Sequence, residues 1–106
     1  MIIATTENIE GKRIVEYKGI IFGEVVSGVD FLRDIAASIR DFVGGRSSGS
    51  ERELCKARAD AIAEMVERAE KVGANAIVGV KVDYETFGKK NAMIMVIASG
   101  TAVILE

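Results

Sequence analysis

The last apolar stretch of the chain, Ala92 to Leu105, most constrains what this sequence can become. It is apolar almost without interruption through Ala98 and again from Ala102. Read as a strand, it has two faces, Met93/Met95/Ile97 and Ile94/Val96/Ala98, and both are apolar. A strand of that kind must be covered on both sides. Gly100 inside it predicts a bulge.

One cover is plain in the sequence. Ser50 to Gly73 predicts a long helix, and Ala76 to Glu85 predicts a strand directly after it. Ser50 and Glu53 stand at capping-box spacing. The body is rich in Ala, Glu, Lys and Arg, all good helix formers. Glu64/Arg68 and Glu67/Lys71 stand at i,i+4 in the favourable orientation. Gly73 suits the left-handed position just past the end. On a helical wheel Leu54, Cys55, Ala57, Ala59, Ala61, Ile62, Met65, Val66, Ala69 and Val72 fill well over half the circumference. One-sided burial needs a stripe of only roughly 100°. Cover on two sides is therefore expected, with many Ala positions permitting close approach.

Earlier segments supply the rest of a small sheet. Met1–Thr5 is a short strand candidate, and Glu7–Lys12 reads as a turn. Arg13–Val26 is β-prone, with Gly19 and Gly23 predicting a bulge or a bend between two strands. Asp30 is an N-cap candidate for a first helix, with Phe31, Leu32, Ile35, Ala36, Ile39, Phe42 and Val43 on one face. Gly44–Ser50 is a Gly/Ser-rich connector, and Gly88–Asn91 a polar hairpin loop. In Ala76–Glu85, strict alternation puts Ala76, Val78, Val80, Val82 and Tyr84 on one face. Ile77, Gly79, Lys81, Asp83 and Glu85 then take the other. The expected fold class is α+β: a small antiparallel sheet in β-β-α-α-β-β order, with the helices on one face. The other face, bare in a single copy, predicts a homo-oligomer.

At 106 residues the chain predicts one domain spanning 1–106. Hydrophobic residues make up 49%, enough for a core. A net charge of −2 with dispersed basic residues gives no footprint for nucleic acid or an anionic membrane. One Cys fits a reducing compartment, and the N-terminal residues lack the pattern of a secretory signal. A cytoplasmic protein is expected.

At this point the residues resemble a known family. Gly23-Glu24-Val25-Val26-Ser27-Gly28, Arg40-Asp41-Phe42-Val43-Gly44-Gly45-Arg46-Ser47 and Ala57-Arg58 carry the resemblance. So do Gly73-Ala74-Asn75-Ala76, Val78-Gly79-Val80, Asp83-Tyr84-Glu85 and Ala98-Ser99-Gly100-Thr101-Ala102-Val103. The chain is similar over its whole length to the YbjQ-like proteins, catalogued also as heavy-metal-binding. The resemblance implies a small α+β subunit assembled as a ring, a pentamer. It brings no established reaction.

The residues give the metal label little to work with. The chain has no His and a single thiol, whereas soft and borderline metals favour thiolate and imidazole. Cys55 reads first as a small hydrophobe on the helix. It could still meet its own copies at a symmetry axis. Asp83 and Glu85 are the candidates for a hard cation, set against a solvated strand face. Met93 and Met95 are better explained by packing. Gly45, Arg46, Ser47 and Ser48 precede the helix and form a weak anion-binding candidate. They are set against a plain connector, and no Walker A lysine is present. Arg58 falls inside the apolar arc. It either snorkels to the edge or forms a partly buried ion pair, within the subunit or across an interface, and a ligand contact is the third reading. Glu16, Glu24, Asp83 and Glu85 could serve an inter-subunit active site, with Tyr17 and Tyr84 as core-edge or catalytic residues. No spacing joins them. With no His and no nucleophile motif, the expectation is a binding or scaffold module, not an enzyme, with no cofactor.

Overall fold

The computed structural model describes residues 1–27, 48–88 and 93–106, with the side chains of residues 27 and 48–53 left aside. Four strands and one helix are described. They are β1 (Ile2–Ile3), β2 (Ile14–Ser27), α1 (Ser48–Lys71), β3 (Ala76–Phe87) and β4 (Met93–Leu105). The first expected helix and, of the expected Gly88–Asn91 loop, all but Gly88 fall outside the described residues.

The strands form one sheet in the order β1-β3-β4-β2. β4 is central and antiparallel to both β2 and β3. β1 instead runs parallel to β3, with Ile2 opposite Ala76 and Ile3 opposite Ile77. The sheet is therefore mixed, which corrects the expectation of an antiparallel sheet. The reason is where the N-terminal segment goes. It does not form a hairpin with β2. It lies along the far edge, where the Ala4 and Thr6 carbonyls accept from the Val80 and Gly79 amides.

α1 packs on one face of the sheet. It begins at Ser48, two residues before the expected cap at Ser50. Its end follows the sequence closely. Gly73 takes a φ of 85°, its amide donates to the Glu70 carbonyl, and the Ala74 amide reaches back to Ala69 at 3.1 Å. This is a Schellman close, which needs a residue tolerant of the left-handed region.

The helix–sheet layer is built from small residues. Ala57, Ala61, Met65 and Ala69 recur at i,i+4 and are buried against Ile77, Val96, Ala98 and Ala102. Gly23 of β2 belongs to the same layer. A Cβ there would overlap the Ala61 carbonyl oxygen and come to 2.6 Å from the Met65 nitrogen. Of the two glycines expected to mark a bulge or a bend, Gly19 stands at a register shift, while at Gly23 the register with Ala98 is continuous. What Gly23 supplies is close approach of strand to helix.

The two-sided cover expected for α1 is not complete among the described residues. Cys55, Ala59 and Val72 remain exposed.

The opposite face of the sheet, here the outer face, is only partly covered. Ile9 and Ile14 pack over Ala76, Val78, Val103 and Leu105 at one end. The segment between β1 and β2 thus crosses beneath the sheet from one edge to the other. Arg13 and Glu106 then exchange backbone hydrogen bonds and pair their side chains at 3.1 Å.

Asn75 fastens the helix–strand junction to this end. Its amide nitrogen donates to the Leu105 carbonyl at 3.0 Å, and its amide oxygen accepts from the Leu105 nitrogen at 2.7 Å. The side chain imitates a strand residue paired with the end of β4. Asn75→Ala removes both bonds and is expected to cost about 1–3 kcal/mol. That corresponds to a melting temperature lower by roughly 5–15 °C, checked by thermal unfolding.

Candidate functional site

Two of the sheet's three register shifts flank Thr101 of β4; the third lies at Ile14/Glu16 of β2. On β2, the pairing shifts by one residue between Tyr17 and Gly19, and Gly19 has a φ of 110°. On β3, it shifts between Val78 and Lys81, where Gly79 has a φ of 61°. Each bulge inserts one extra residue and re-aims its neighbours. The bulge expected at Gly100 is therefore not on β4. The extra residue lies opposite it, on β3. Gly100 serves packing instead, since a Cβ there would stand 2.6 Å from Ile77 Cγ2.

The β3 bulge also resets the faces of that strand. Ile77 joins Val80 and Val82 on the helix side, while Ala76 and Val78 pack on the outer side with Val103 and Leu105. The expected set of Ala76, Val78, Val80, Val82 and Tyr84 on one face is therefore split at Gly79.

Between the bulges, on the outer face, lies a hollow of about 360 Å³ lined by Glu7, Asn8, Tyr17, Val78, Gly79 and Thr101. Its rim is fixed by the crossing N-terminal segment. The Thr6 carbonyl accepts from the Gly79 amide at 2.8 Å. The Thr6 hydroxyl donates to the Asn8 carbonyl at 2.7 Å. The lining offers a carboxylate, a carboxamide, a phenol and a hydroxyl over an apolar floor. Glu7 is its one charged side chain.

Away from this hollow the outer face carries apolar side chains of β2 and β4 beside the charged Glu24, Lys81, Asp83 and Glu85, without further cover among the described residues. Ile20, Phe22 and Val26 of β2 stand opposite Thr101, Ser99 and Met95. They are 73%, 46% and 51% exposed. Ile97 shares that face, opposite Glu24 and Asp83.

The residues singled out in the sequence are scattered. Gly45, Arg46 and Ser47 lie outside the described residues. Ser48 begins α1, and its side chain is outside them too. Cys55 is a free, exposed thiol on α1. Arg58 is exposed and donates to Cys55 Sγ at 3.5 Å. Asp83 and Glu85 sit on the outer face opposite Ile97 and Met95, so the sheet lies between them and Cys55. Asp83 is 3.6 Å from Lys81 Nζ. Among the described residues, no three His, Cys, Asp or Glu side chains come together as a metal site.

The four carboxylates at strand positions do not converge. Glu16 pairs with Lys18 at 2.9 Å. Glu24 pairs with Arg68 at 3.0 Å. Arg68 also binds Glu64 and donates to the Phe22 carbonyl at 2.8 Å. β2 has no strand partner on its second side among the described residues, so Arg68 occupies part of an otherwise open sheet edge. Tyr84 lies on the helix face and Tyr17 on the outer face, so they share no site. Sequence reasoning missed Glu7, Asn8, Val78, Gly79 and Thr101 as a group. Gly79 was the available signal: a glycine inside an otherwise regular strand pattern marks a bulge or a close approach.

Comparison with known proteins settles the family. The YbjQ family model, described as "Putative heavy-metal-binding", matches residues 1–106. The chain belongs to the YbjQ family. A UPF0145 protein of Listeria monocytogenes serotype 4a is 58% identical over 106 residues, covering 100% of this chain and 96% of that protein. UPF0145 proteins of Listeria innocua and Listeria welshimeri match equally well over the same span. A crystal structure of a protein of unknown function from Pediococcus pentosaceus, assigned to the DUF74 family, superposes with a TM-score of 0.68. It covers 100% of this chain and 98% of its own at 16% identity, a likeness of fold alone. This YbjQ family member is thus a small α+β protein with a mixed four-stranded sheet. Among its described residues, no helix is long and apolar enough to cross a membrane.

Proposed function

We propose that this YbjQ family member is a homo-oligomeric binding module of the reducing cytoplasm, in which copies of the chain cover one another's outer sheet faces. The observation that carries this reading is the exposure of Ile20, Phe22 and Val26 along one face of β2, shared with Met95 and Ile97 and interrupted by Glu24 between Phe22 and Val26. Large apolar side chains exposed on one sheet face mark an interaction site more often than a solvated wall. The incompletely covered flank of α1, with Cys55, Ala59 and Val72, points the same way. A ring of five is the order that the family resemblance implies. A cytoplasmic setting accords with the single free thiol.

A binding role is favoured over catalysis because the hollow beside this face presents hydrogen-bonding groups without a nucleophile seated on a base. The family's heavy-metal description gains no support from the described side chains. The test of assembly is the mass of the native protein, purified without a metal-affinity tag. The expected result is one species at an integral multiple of 11.4 kDa, stable at low micromolar concentration. A species of 11.4 kDa alone would overturn the reading.

A further inference from the structure

We infer that the hollow between the two bulges binds a small organic amine. The inference gives a ligand class to the binding half of the proposed function and stands apart from the assembly half. The two strands on either side of Thr101 each carry an inserted residue near it, between Tyr17 and Gly19 on β2 and between Val78 and Lys81 on β3. Bulges re-aim side chains, and here both interruptions open the same space. Tyr17, 69% exposed, stands at one wall, and Gly79 at the other. Nothing lies within 4 Å of where a Cβ on Gly79 would be, so that wall is clear.

The chemistry of the lining selects the ligand. Its charge is a single carboxylate, Glu7, and no Lys or Arg contributes. An anion would meet no countercharge there. An ammonium group meets the Glu7 carboxylate as a charge-assisted partner. The Tyr17 ring adds a face suited to a cation. Asn8 and Thr101 supply further acceptors, and Val78 an apolar floor for a methylene segment. A metal ion is a poorer match, because a hard cation needs six or more oxygens and the hollow holds one carboxylate. A volume of about 360 Å³ suits a molecule of a few heavy atoms.

The protein carries its own reporter. It has two tyrosines and no tryptophan. Tyr84→Phe, on the opposite face, leaves Tyr17 as the sole tyrosine, whose emission is separable from that of Phe by exciting at its longer absorption wavelength. Ethanolamine and 1,4-diaminobutane should then change Tyr17 emission saturably, with half-effect at or below roughly 1 mM. Butane-1,4-diol and succinate should not. Glu7→Gln should weaken the amine effect about tenfold or more. Asn8→Ala, a separate change at the rim, should weaken it less. No saturable amine response up to about 10 mM would overturn the inference. An equal response from the diol, or one unchanged in Glu7→Gln, would overturn it too. Light scattering on the same samples keeps the two readings apart. An intact oligomer that ignores amines sinks this inference alone, and a monomer that binds them sinks only the assembly.

Discussion

Gly23→Ala is expected to abolish the native packing of helix on sheet, or to cost on the order of 3 kcal/mol or more if the chain still folds. The added methyl carbon would overlap the Ala61 carbonyl oxygen and approach the Met65 nitrogen to 2.6 Å. Both obstacles are backbone, so no side chain can rotate away. The strand cannot retreat either, because Gly23 is held opposite Ala98 in an unbroken ladder with β4. Relief requires α1 to lift off the layer in which Ala61, Met65 and Ala69 are fully buried. For a chain of this size such a loss lowers the melting temperature by roughly 12–24 °C. Thermal and urea unfolding of the purified variant check it. A melting temperature within about 2 °C of the parent would show that helix and strand are less tightly apposed than described.

Phe22→Glu acts on the other side of the same strand and should have the opposite profile. Phe22 is 46% exposed in the single chain, so the fold itself should lose little. Buried against a second copy, the new carboxylate would have no partner in an apolar surface, which is costly. Each subunit contact should weaken about 100-fold or more, the scale of a central interface residue. Native mass spectrometry should then find the monomer predominant at micromolar protein, with secondary structure retained by circular dichroism. Ile20→Glu should behave alike, since Ile20 shares that face and is 73% exposed. Glu67→Gln, a change of one charge in the opposite sense on the exposed side of α1, should leave the mass unchanged. An unaltered mass for both Phe22→Glu and Ile20→Glu would remove the outer face from the interface.

How much of this was legible in the sequence depends on how local each signal is. The end of α1 was fully legible, because a Schellman close is set by six consecutive residues around Gly73. The Ala-rich stripe also announced close approach. The phase of β3 was misread for a physical reason. Ile77, Val78 and Val80 are all β-branched and apolar, so the pattern looks equally regular with or without an inserted residue at Gly79. The parallel pairing of β1 could not be read from two isoleucines, because register is a property of the partner strand as well. The hollow was hidden for the same reason. Its residues come from the N-terminal segment, β2, β3 and β4, and only the coincidence of two bulges at Thr101 assembles them. The proposed oligomer rests on a signal of another kind, the two apolar faces of β4, which is readable without any fold.

The place of β4 in the sheet bears on how the protein is made. β4 is the middle strand, yet it is synthesised after every other described strand. Until it leaves the ribosome, β2 has no strand to bond with among those described, β3 has only the short β1, and the alanine face of α1 has only half a floor. The nascent chain must therefore wait with its apolar strands unpaired, and consolidate in one late step dominated by contacts distant in sequence. Such topologies fold slowly and stay open to misassociation while they wait. For this protein the surface at hazard during synthesis is the same one proposed to receive a second copy: the strands that must avoid strangers early are those offered for assembly later.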